Sequence, residues 1–181
     1  MRYGETSMSC ECGTTGDNGS GCGCSLSSSA TASCPACGTI GRKVSSLTIQ
    51  SQFKKEMLEN YKDHTDKFNF CMNPSCPAVY YDDSESIIIH QDEIRSKVTI
   101  KNDDLKTPLC YCKKLLKSDF FQMIEDNIPD ISDKIKAIIS EGKSFCEKSN
   151  PKGVCCTEDV KTFLAEYGMA WESQDASRGC C

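Results

Sequence analysis

The sequence contains no long apolar run. Its longest aliphatic cluster is Ile87-Ile88-Ile89, far shorter than the roughly 20 apolar residues that a membrane-spanning helix needs. Residues 1–9 hold no apolar stretch either, so we expect neither a signal peptide nor membrane insertion. These absences predict a cytoplasmic protein.

A surplus of basic residues is also absent. The 26 acidic residues outnumber the 21 Lys and Arg residues, which gives a net charge of −5 and argues against nucleic acid as a partner. The sequence shows no Ser/His/Asp arrangement, phosphate-binding glycine loop or paired catalytic carboxylates in a supporting context. We therefore expect no catalytic residues and predict a binding or electron-transfer protein rather than an enzyme.

Cysteine, by contrast, is abundant, with 15 among the 181 residues. Disulfide scaffolds of this density are usually short secreted chains with an even number of cysteines. An odd number in a longer chain without an export signal favours metal ligation in a reducing compartment.

Composition divides the chain into four segments. Residues 1–33 hold six of the 12 glycines and eight serines, too little apolar surface to offset the entropy of ordering, so they predict a disordered tail. Residues 34–104 read mostly as strands and turns, and residues 105–172 as helices. Residues 173–181 form a second polar tail. The predicted fold is a small α+β domain with a β-rich part followed by a helical part.

Apolar patterns predict the main elements. Strands are expected at Phe68–Phe70, Val79–Tyr81 and Ile87–Ile89. Three amphipathic helices are expected, with these apolar faces: Phe120, Phe121, Ile124 and Ile128; Ile131, Ile135, Ile138 and Ile139; and Val160, Phe163, Leu164 and Tyr167. The predicted N-caps are Ser118, Asp130 and Thr157, and the predicted helix stops are Gly142 and Gly168.

The first group of cysteines consists of two pairs in turn-forming sequence. Cys34 and Cys37 form a Cys-x-x-Cys knuckle followed by Gly38, and Cys71 and Cys76 flank an Asn-Pro turn. Four thiolates brought together in this way suit tetrahedral structural zinc. An iron–sulfur centre could use the same ligands, and free cysteines with a redox Cys-x-x-Cys are the simpler alternative.

A second group lies further along the chain. Cys110 and Cys112 precede the helical run, Cys146 closes the second predicted helix, and the Cys155-Cys156 doublet leads into the third. Helix N-termini stabilise thiolates through free amides and the helix dipole. A 2Fe–2S cluster needs four thiolate ligands, and its negative charge is stabilised by nearby N–H donors. This group therefore predicts a cluster, and one member of the doublet is not needed as a ligand.

These motifs in this order resemble the N-terminal domain of archaeal-type copper chaperones of the CopZ family, over roughly Cys34 to Gly168. The residues that carry the resemblance are Cys34-Pro-x-Cys-Gly, Phe70-Cys71 with Cys76, Val79-Tyr80-Tyr81, Cys110-Tyr-Cys112, and Cys146 followed by Asn150-Pro-x-Gly-x-Cys-Cys. The resemblance implies zinc on the first four cysteines. It also implies a 2Fe–2S cluster on the second group, in a part similar to bacterioferritin-associated ferredoxin.

The resemblance also bears on the doublet. In bacterioferritin-associated ferredoxins the last ligand opens a helix, and Cys156 fits that place because Thr157 follows it directly. We therefore predict Cys156 as the fourth ligand, with Cys155 as its substitute. The gap between Cys146 and Cys156 is wider than in that pattern, so the choice stays open.

The residues that deliver copper in this family have no counterpart in the present sequence. The family also carries a Met-x-Cys-x-x-Cys loop that binds Cu⁺, and the present sequence contains none. What the resemblance implies is electron transfer or soft-metal handling, including reduction of Cu(II) before Cu(I) is handed on. The implied partners are a copper-transporting ATPase or a redox protein.

The remaining cysteines and the histidines complete the list of candidate ligands. Six cysteines in the tails could capture a soft metal such as Cu⁺ or could be incidental, namely Cys10, Cys12, Cys22, Cys24, Cys180 and Cys181. The two histidines, His64 and His90, are predicted to be surface or structural residues because the cysteines already fill the ligand positions.

Two other functions remain open at the level of sequence. One is a structural two-zinc interaction module without a redox role. The other is an electron-donor component for a partner enzyme, in which copper plays no part.

Overall fold

The computed structural model describes residues 32–171. The predicted tails therefore lie outside the described residues, except for residues 32 and 33. The strands are β1 (Arg42–Lys43), β2 (Asn69–Phe70), β3 (Ala78–Asp82), β4 (Ile87–His90), β5 (Pro108–Cys110) and β6 (Leu115–Leu116). The helices are α1 (Ser46–Gln52), α2 (Lys55–Asn60), α3 (Lys117–Glu125), α4 (Ile131–Ser140), α5 (Cys146–Ser149) and α6 (Thr157–Glu166).

The first half of the domain is built on a four-stranded antiparallel sheet in the order β1-β2-β3-β4. Phe70 pairs with Tyr80 across β2 and β3, with ring centroids 5.9 Å apart. β-Branched and aromatic residues fill β3 and β4, which favours a pleated, buried surface. The strands predicted around Val79–Tyr81 and Ile87–Ile89 are present.

An aromatic cluster forms the core beneath this sheet. Phe53, at the end of α1, lies 5.2 Å from Phe68 and 5.9 Å from Tyr80 between ring centroids, and all three side chains are fully buried. Each buried large side chain stabilises the fold by about 1.5–3 kcal/mol. This core stabilises the sheet next to which the first two cysteine pairs lie.

The second half is helical, apart from the β5–β6 hairpin. Ile135, Phe120 and Leu164 are fully buried and belong to a single apolar core formed by α3, α4 and α6. The three predicted helices are therefore present and pack together, but Ile128 lies beyond the end of α3 and Tyr167 is the C-cap of α6 rather than part of it. Within the described residues, no helix has the length and hydropathy needed to cross a bilayer.

The predicted helix boundaries are only partly right. Asp130 precedes α4 as expected, and Gly142 and Gly168 follow their helices with φ of +67° and +72°, a conformation that glycine adopts without strain. The N-cap of α3 is Leu116 rather than Ser118, because the Asp119 carboxylate accepts the Leu116 N–H at 2.8 Å.

The third predicted cap is also shifted by one residue. Thr157 is the first residue of α6, and Cys156 is its N-cap. A cysteine therefore lies at the position that opens this helix, next to its free backbone amides.

Three hydrogen bonds from largely buried side chains join the two halves. The Thr48 hydroxyl of α1 donates to the Glu147 carbonyl at 2.7 Å, the Gln52 amide donates to the Lys148 carbonyl at 2.8 Å, and the Tyr80 hydroxyl donates to the Pro151 carbonyl at 2.6 Å. A Cβ on Gly153 would approach the Thr48 hydroxyl to 2.7 Å. The segment that carries Cys146 and the cysteine doublet is thereby fitted against the first half.

We predict that Tyr80→Phe lowers the free energy of unfolding by about 1–3 kcal/mol, since it leaves the buried Pro151 carbonyl without its partner. Burial raises the pKa of Tyr80, so the hydroxyl stays a donor. Urea unfolding of the metal-loaded protein measures the change. Tyr61→Phe is the matched control, because Tyr61 packs on Phe53 with ring centroids 6.4 Å apart. Equal losses for the two variants would contradict the prediction.

Candidate metal centres

The first four cysteines converge on one point. The sulfurs of Cys34, Cys37, Cys71 and Cys76 all lie within 4.8 Å of one another. Two of the separations are 4.0 Å, between Cys34 and Cys76, and 3.7 Å, between Cys37 and Cys71. Sulfurs at the corners of a tetrahedron with Zn–S bonds of about 2.3 Å are about 3.8 Å apart. The residues present therefore fit a zinc ion.

Tight turns place these sulfurs. In the first turn, the amides of Cys37 and Gly38 both donate to the Cys34 carbonyl, at 3.2 and 2.7 Å. Gly38 has φ of +71°, which a side chain would strain. In the second turn the Asn73 side chain accepts the Ser75 N–H at 3.0 Å. Both knuckles thus close through local hydrogen bonds, as their sequences indicate.

Lys101 supports the second turn from a distant part of the chain. Its ammonium donates to the carbonyls of Asn73 and Cys76 at 2.7 and 3.0 Å. The role of this residue was not predicted from the sequence, because no local pattern links position 101 to a turn 25 residues earlier. Its positive charge also lies close enough to favour the Cys71 thiolate.

Without a cation, these thiols have conflicting protonation preferences. Burial raises the pKa of Cys71 to about 12. A hydrogen bond from the Thr39 hydroxyl lowers the pKa of Cys37 to about 6. Four adjacent thiolates repel one another, so full ionisation requires a compensating cation. A soft divalent ion such as zinc meets this requirement.

The second set also comes together, although it draws on three separate elements. Cys110 ends β5, Cys112 lies in the β5–β6 turn, and Cys146 opens α5. The prediction that Cys146 closes the second helix is wrong: α4 ends at Ser140, and Cys146 follows after a short connection. The Cys112 sulfur lies 3.8 Å from that of Cys110 and 4.0 Å from that of Cys146.

The cysteine doublet completes this set. Cys156 is buried in the same apolar cluster as Cys110, with Cys112 packed against it, and Cys155 is its neighbour in the chain. Among the described residues, the mutual 4.8 Å grouping of sulfurs is found for the first set and not for this one. In a 2Fe–2S cluster each iron takes two of the four protein ligands, so the ligand sulfurs spread more widely than around one ion. The spread of the second set fits a cluster.

The two members of the doublet differ in their environments. Cys156 is only 1% exposed, whereas Cys155 is half-buried and lies 3.0 Å from the Thr157 hydroxyl. Hydrogen bonds with Cys156 and Thr157 lower the pKa of Cys155 to about 4. Hydrogen bonds with Cys110 and Cys155, together with burial, raise the pKa of Cys156. The choice of Cys156 stays a prediction.

Tyr111 anchors the Cys-x-Cys turn to the first half. Its hydroxyl donates to the Lys97 carbonyl at 2.8 Å and accepts the Thr99 amide at 3.0 Å. Burial raises the pKa of Tyr111 to about 12, which keeps the hydroxyl protonated and able to donate. Its position between Cys110 and Cys112 is plain from the sequence, but its hydrogen-bond partners could not be predicted from it.

A buried ion pair lies beside the doublet. Lys152 and Asp159 are joined through Nζ and Oδ1, and their side chains are only 10% and 8% exposed. Asp159 lies in the first turn of α6, where a carboxylate interacts favourably with the helix dipole. This ion pair links the loop before the doublet to α6. It was not predicted from the sequence.

A small sheet-and-helix domain with two groups of clustered thiols defines a cysteine-rich metal-binding domain. Residues 31–95 match the CopZ-type family model described as a zinc binding domain, and this segment includes the whole first set. The chain is also similar to the copper chaperone CopZ of Archaeoglobus fulgidus, with 29% identity over 124 residues, which are 68% of this chain and 57% of that protein. The chain thus spans little more than half the length of this relative.

The fold comparison agrees. The X-ray structure of the Archaeoglobus fulgidus CopZ N-terminal domain matches with a TM-score of 0.62 and 24% identity, covering 77% of this chain and 99% of that one. The resemblance to the CopZ N-terminal domain predicted from the sequence is therefore confirmed, and the chain contains a CopZ-like zinc-binding domain.

We predict that Cys156→Ser abolishes the visible absorbance of anaerobically purified protein, whereas Cys155→Ser retains it. The reason is that Cys156 combines burial with the helix N-terminus, where a cluster ligand is best shielded. The reverse pattern would assign the ligand to Cys155, and loss in both variants would mean that neither thiol is spare.

Proposed function

We propose that this chain is an iron–sulfur and zinc binding protein of the CopZ N-terminal type, acting in electron transfer and soft-metal handling in the cytoplasm. Zinc would be held by Cys34, Cys37, Cys71 and Cys76, and a 2Fe–2S cluster by Cys110, Cys112, Cys146 and Cys156. The observation that carries the proposal is the presence of two thiol sets of different shape, one compact and one spread.

The zinc site has a structural role in this proposal. The Cys71 amide donates to the Val79 carbonyl of β3 at 2.9 Å, so the second knuckle is continuous with the sheet. Cys34, Cys71 and Cys76 are buried, and the set uses all four ligand positions, as closed structural zinc sites do. Metal binding would contribute directly to the folding free energy.

The second set would serve electron transfer. A bound 2Fe–2S cluster supplies one-electron chemistry. The chain holds Cys110 and Cys156 in the interior, while Cys112 and Cys146 are half-buried. Beside Cys146, Phe145 is 56% exposed. The set therefore has one edge near the surface, where a redox partner can approach.

Copper is proposed as the cargo because the matched relative is named as a copper chaperone. One electron from the reduced cluster, which would itself be oxidised, would pass through this edge and convert Cu(II) to Cu(I), the form that thiolates prefer. The thiols of the predicted tails would then capture Cu⁺ for a copper-transporting ATPase. Those cysteines lie outside the described residues. Unchanged Cu⁺ stoichiometry after replacing all six with serine would refute their role.

The test is metal analysis combined with EPR spectroscopy of anaerobically purified protein. We expect iron and zinc in a two-to-one ratio, a reddish-brown colour, and an EPR signal after reduction. Cys112→Ser should lose the iron and the signal while keeping zinc. Its matched control, Cys37→Ser, lies in the other set and should lose zinc.

A colourless protein with zinc in both sets would refute the redox role and favour the structural two-zinc module. A coloured protein that cannot reduce Cu(II) would favour the electron-donor component instead. The colour thus tests the cluster, and the copper assay tests the cargo.

A further inference from the structure

A third group of ligand-type side chains lies outside both cysteine sets, where the β3–β4 hairpin meets the segment after α2. His64 ends a single 3₁₀ turn, Asp82 ends β3, and Glu85 lies in the hairpin turn. One ligand atom from each lies within 4.8 Å of the other two. Imidazole and carboxylate are ligands that zinc and related divalent metals accept.

The hairpin fixes the most buried member of this group. One carboxylate oxygen of Asp82, Oδ1, accepts both the amide and the hydroxyl of Ser84, at 3.0 and 2.6 Å. These bonds close the turn and hold the carboxylate in one orientation. The other oxygen, Oδ2, takes no part in the turn.

Two atoms of the group are buried without a hydrogen bond. Asp82 is only 1% exposed, and its Oδ2 has no hydrogen-bond partner among the described residues. The Nδ1 atom of His64 is also buried without one, although it lies 3.2 Å from Glu85 Oε1. An unpaired buried polar atom costs about 1–3 kcal/mol, and more when it carries charge. Coordination of a cation would satisfy both atoms.

We propose that His64, Asp82 and Glu85 form a binding site for a divalent metal ion of the zinc class, independent of the thiols. The His64 and Glu85 side chains are 28% and 45% exposed, so the site opens to solvent on one side. Three protein ligands with an open position describe a site that exchanges its ion or presents it to another ligand. Such an ion would also tie the hairpin to the segment after α2.

An ion-pair network is the competing interpretation. Lys67 Nζ lies 3.3 Å from the same Glu85 oxygen that faces His64, and the three side chains could simply link the hairpin to its neighbour. That network leaves Asp82 Oδ2 unpaired. The two interpretations make opposite predictions for Lys67: it competes with a metal ion for Glu85, but it would hold a purely ionic network together.

The experiment uses the imidazole signals in NMR spectra of the full-length, metal-loaded protein. The chain has only two histidines, so His90 serves as an internal control; its Nδ1 lies 3.3 Å from the Pro77 carbonyl. Zn²⁺ is added beyond the amount that the thiols take up. We expect a saturable change in the ring nitrogen signals of His64 and none in those of His90.

Two variants sharpen the result, and both change exposed side chains. Glu85→Gln should weaken Zn²⁺ binding at His64 by about tenfold or more, and Lys67→Met should strengthen it several-fold. His90→Ala should bind as the unaltered chain does. An unchanged His64 signal at millimolar Zn²⁺ would overturn the proposal, as would unaltered affinity in Glu85→Gln or weaker binding in Lys67→Met. None of these outcomes depends on whether the second cysteine set holds a cluster.

Discussion

Buried thiolates repel one another, and the rest of this structure depends on how that repulsion is relieved. Four sulfurs meet within 4.8 Å at the side of the sheet, in surroundings that raise the pKa of Cys71 to about 12. No arrangement of neutral hydrogen bonds compensates four negative charges in such a site. A bound cation would do so, and it would join the first knuckle, near residue 34, to strands that begin some 35 residues later. Folding of the first half would therefore be coupled to metal binding.

The second half depends on the first through polar contacts rather than through a shared apolar core. Thr48, Gln52 and Tyr80 donate to three carbonyls in the segment 147–151, and Tyr111 reaches back to Lys97 and Thr99. These bonds bracket the second cysteine set on both sides. Buried polar contacts of this kind are specific in geometry and costly to break. Loss of a metal ion from the first set would therefore disturb the second set, even though the two sets have no cysteine in common.

The sequence was most informative where the signal is local. Alternation around Val79–Tyr81 and helical spacing around Ile131–Ile139 report on which face of each element is buried, so these elements were predicted. Cysteine spacing on turns reports on which sulfurs can meet. Helix starts were less accurate, because a carboxylate one turn away, as at Asp119, can move a cap by two residues.

Contacts between distant segments could not be predicted. Lys101 donates a hydrogen bond to a turn 25 residues earlier, and Thr48 donates to Glu147, 99 residues later. Neither contact produces a pattern that can be recognised in a single sequence. His64 was predicted to be a surface or structural residue because the cysteines alone fill every predicted ligand position. Its place beside Asp82 and Glu85 comes from the meeting of a hairpin with a preceding turn, which spacing along the chain does not encode.

Anomalous diffraction at the iron and zinc absorption edges, from crystals grown without oxygen, tests the central claim most directly, because it places each element among named cysteines. The account predicts a zinc peak enclosed by Cys34, Cys37, Cys71 and Cys76, and an iron peak beside Cys110, Cys112 and Cys146. The same element at both sets, or iron at the compact set and zinc at the spread one, would contradict it.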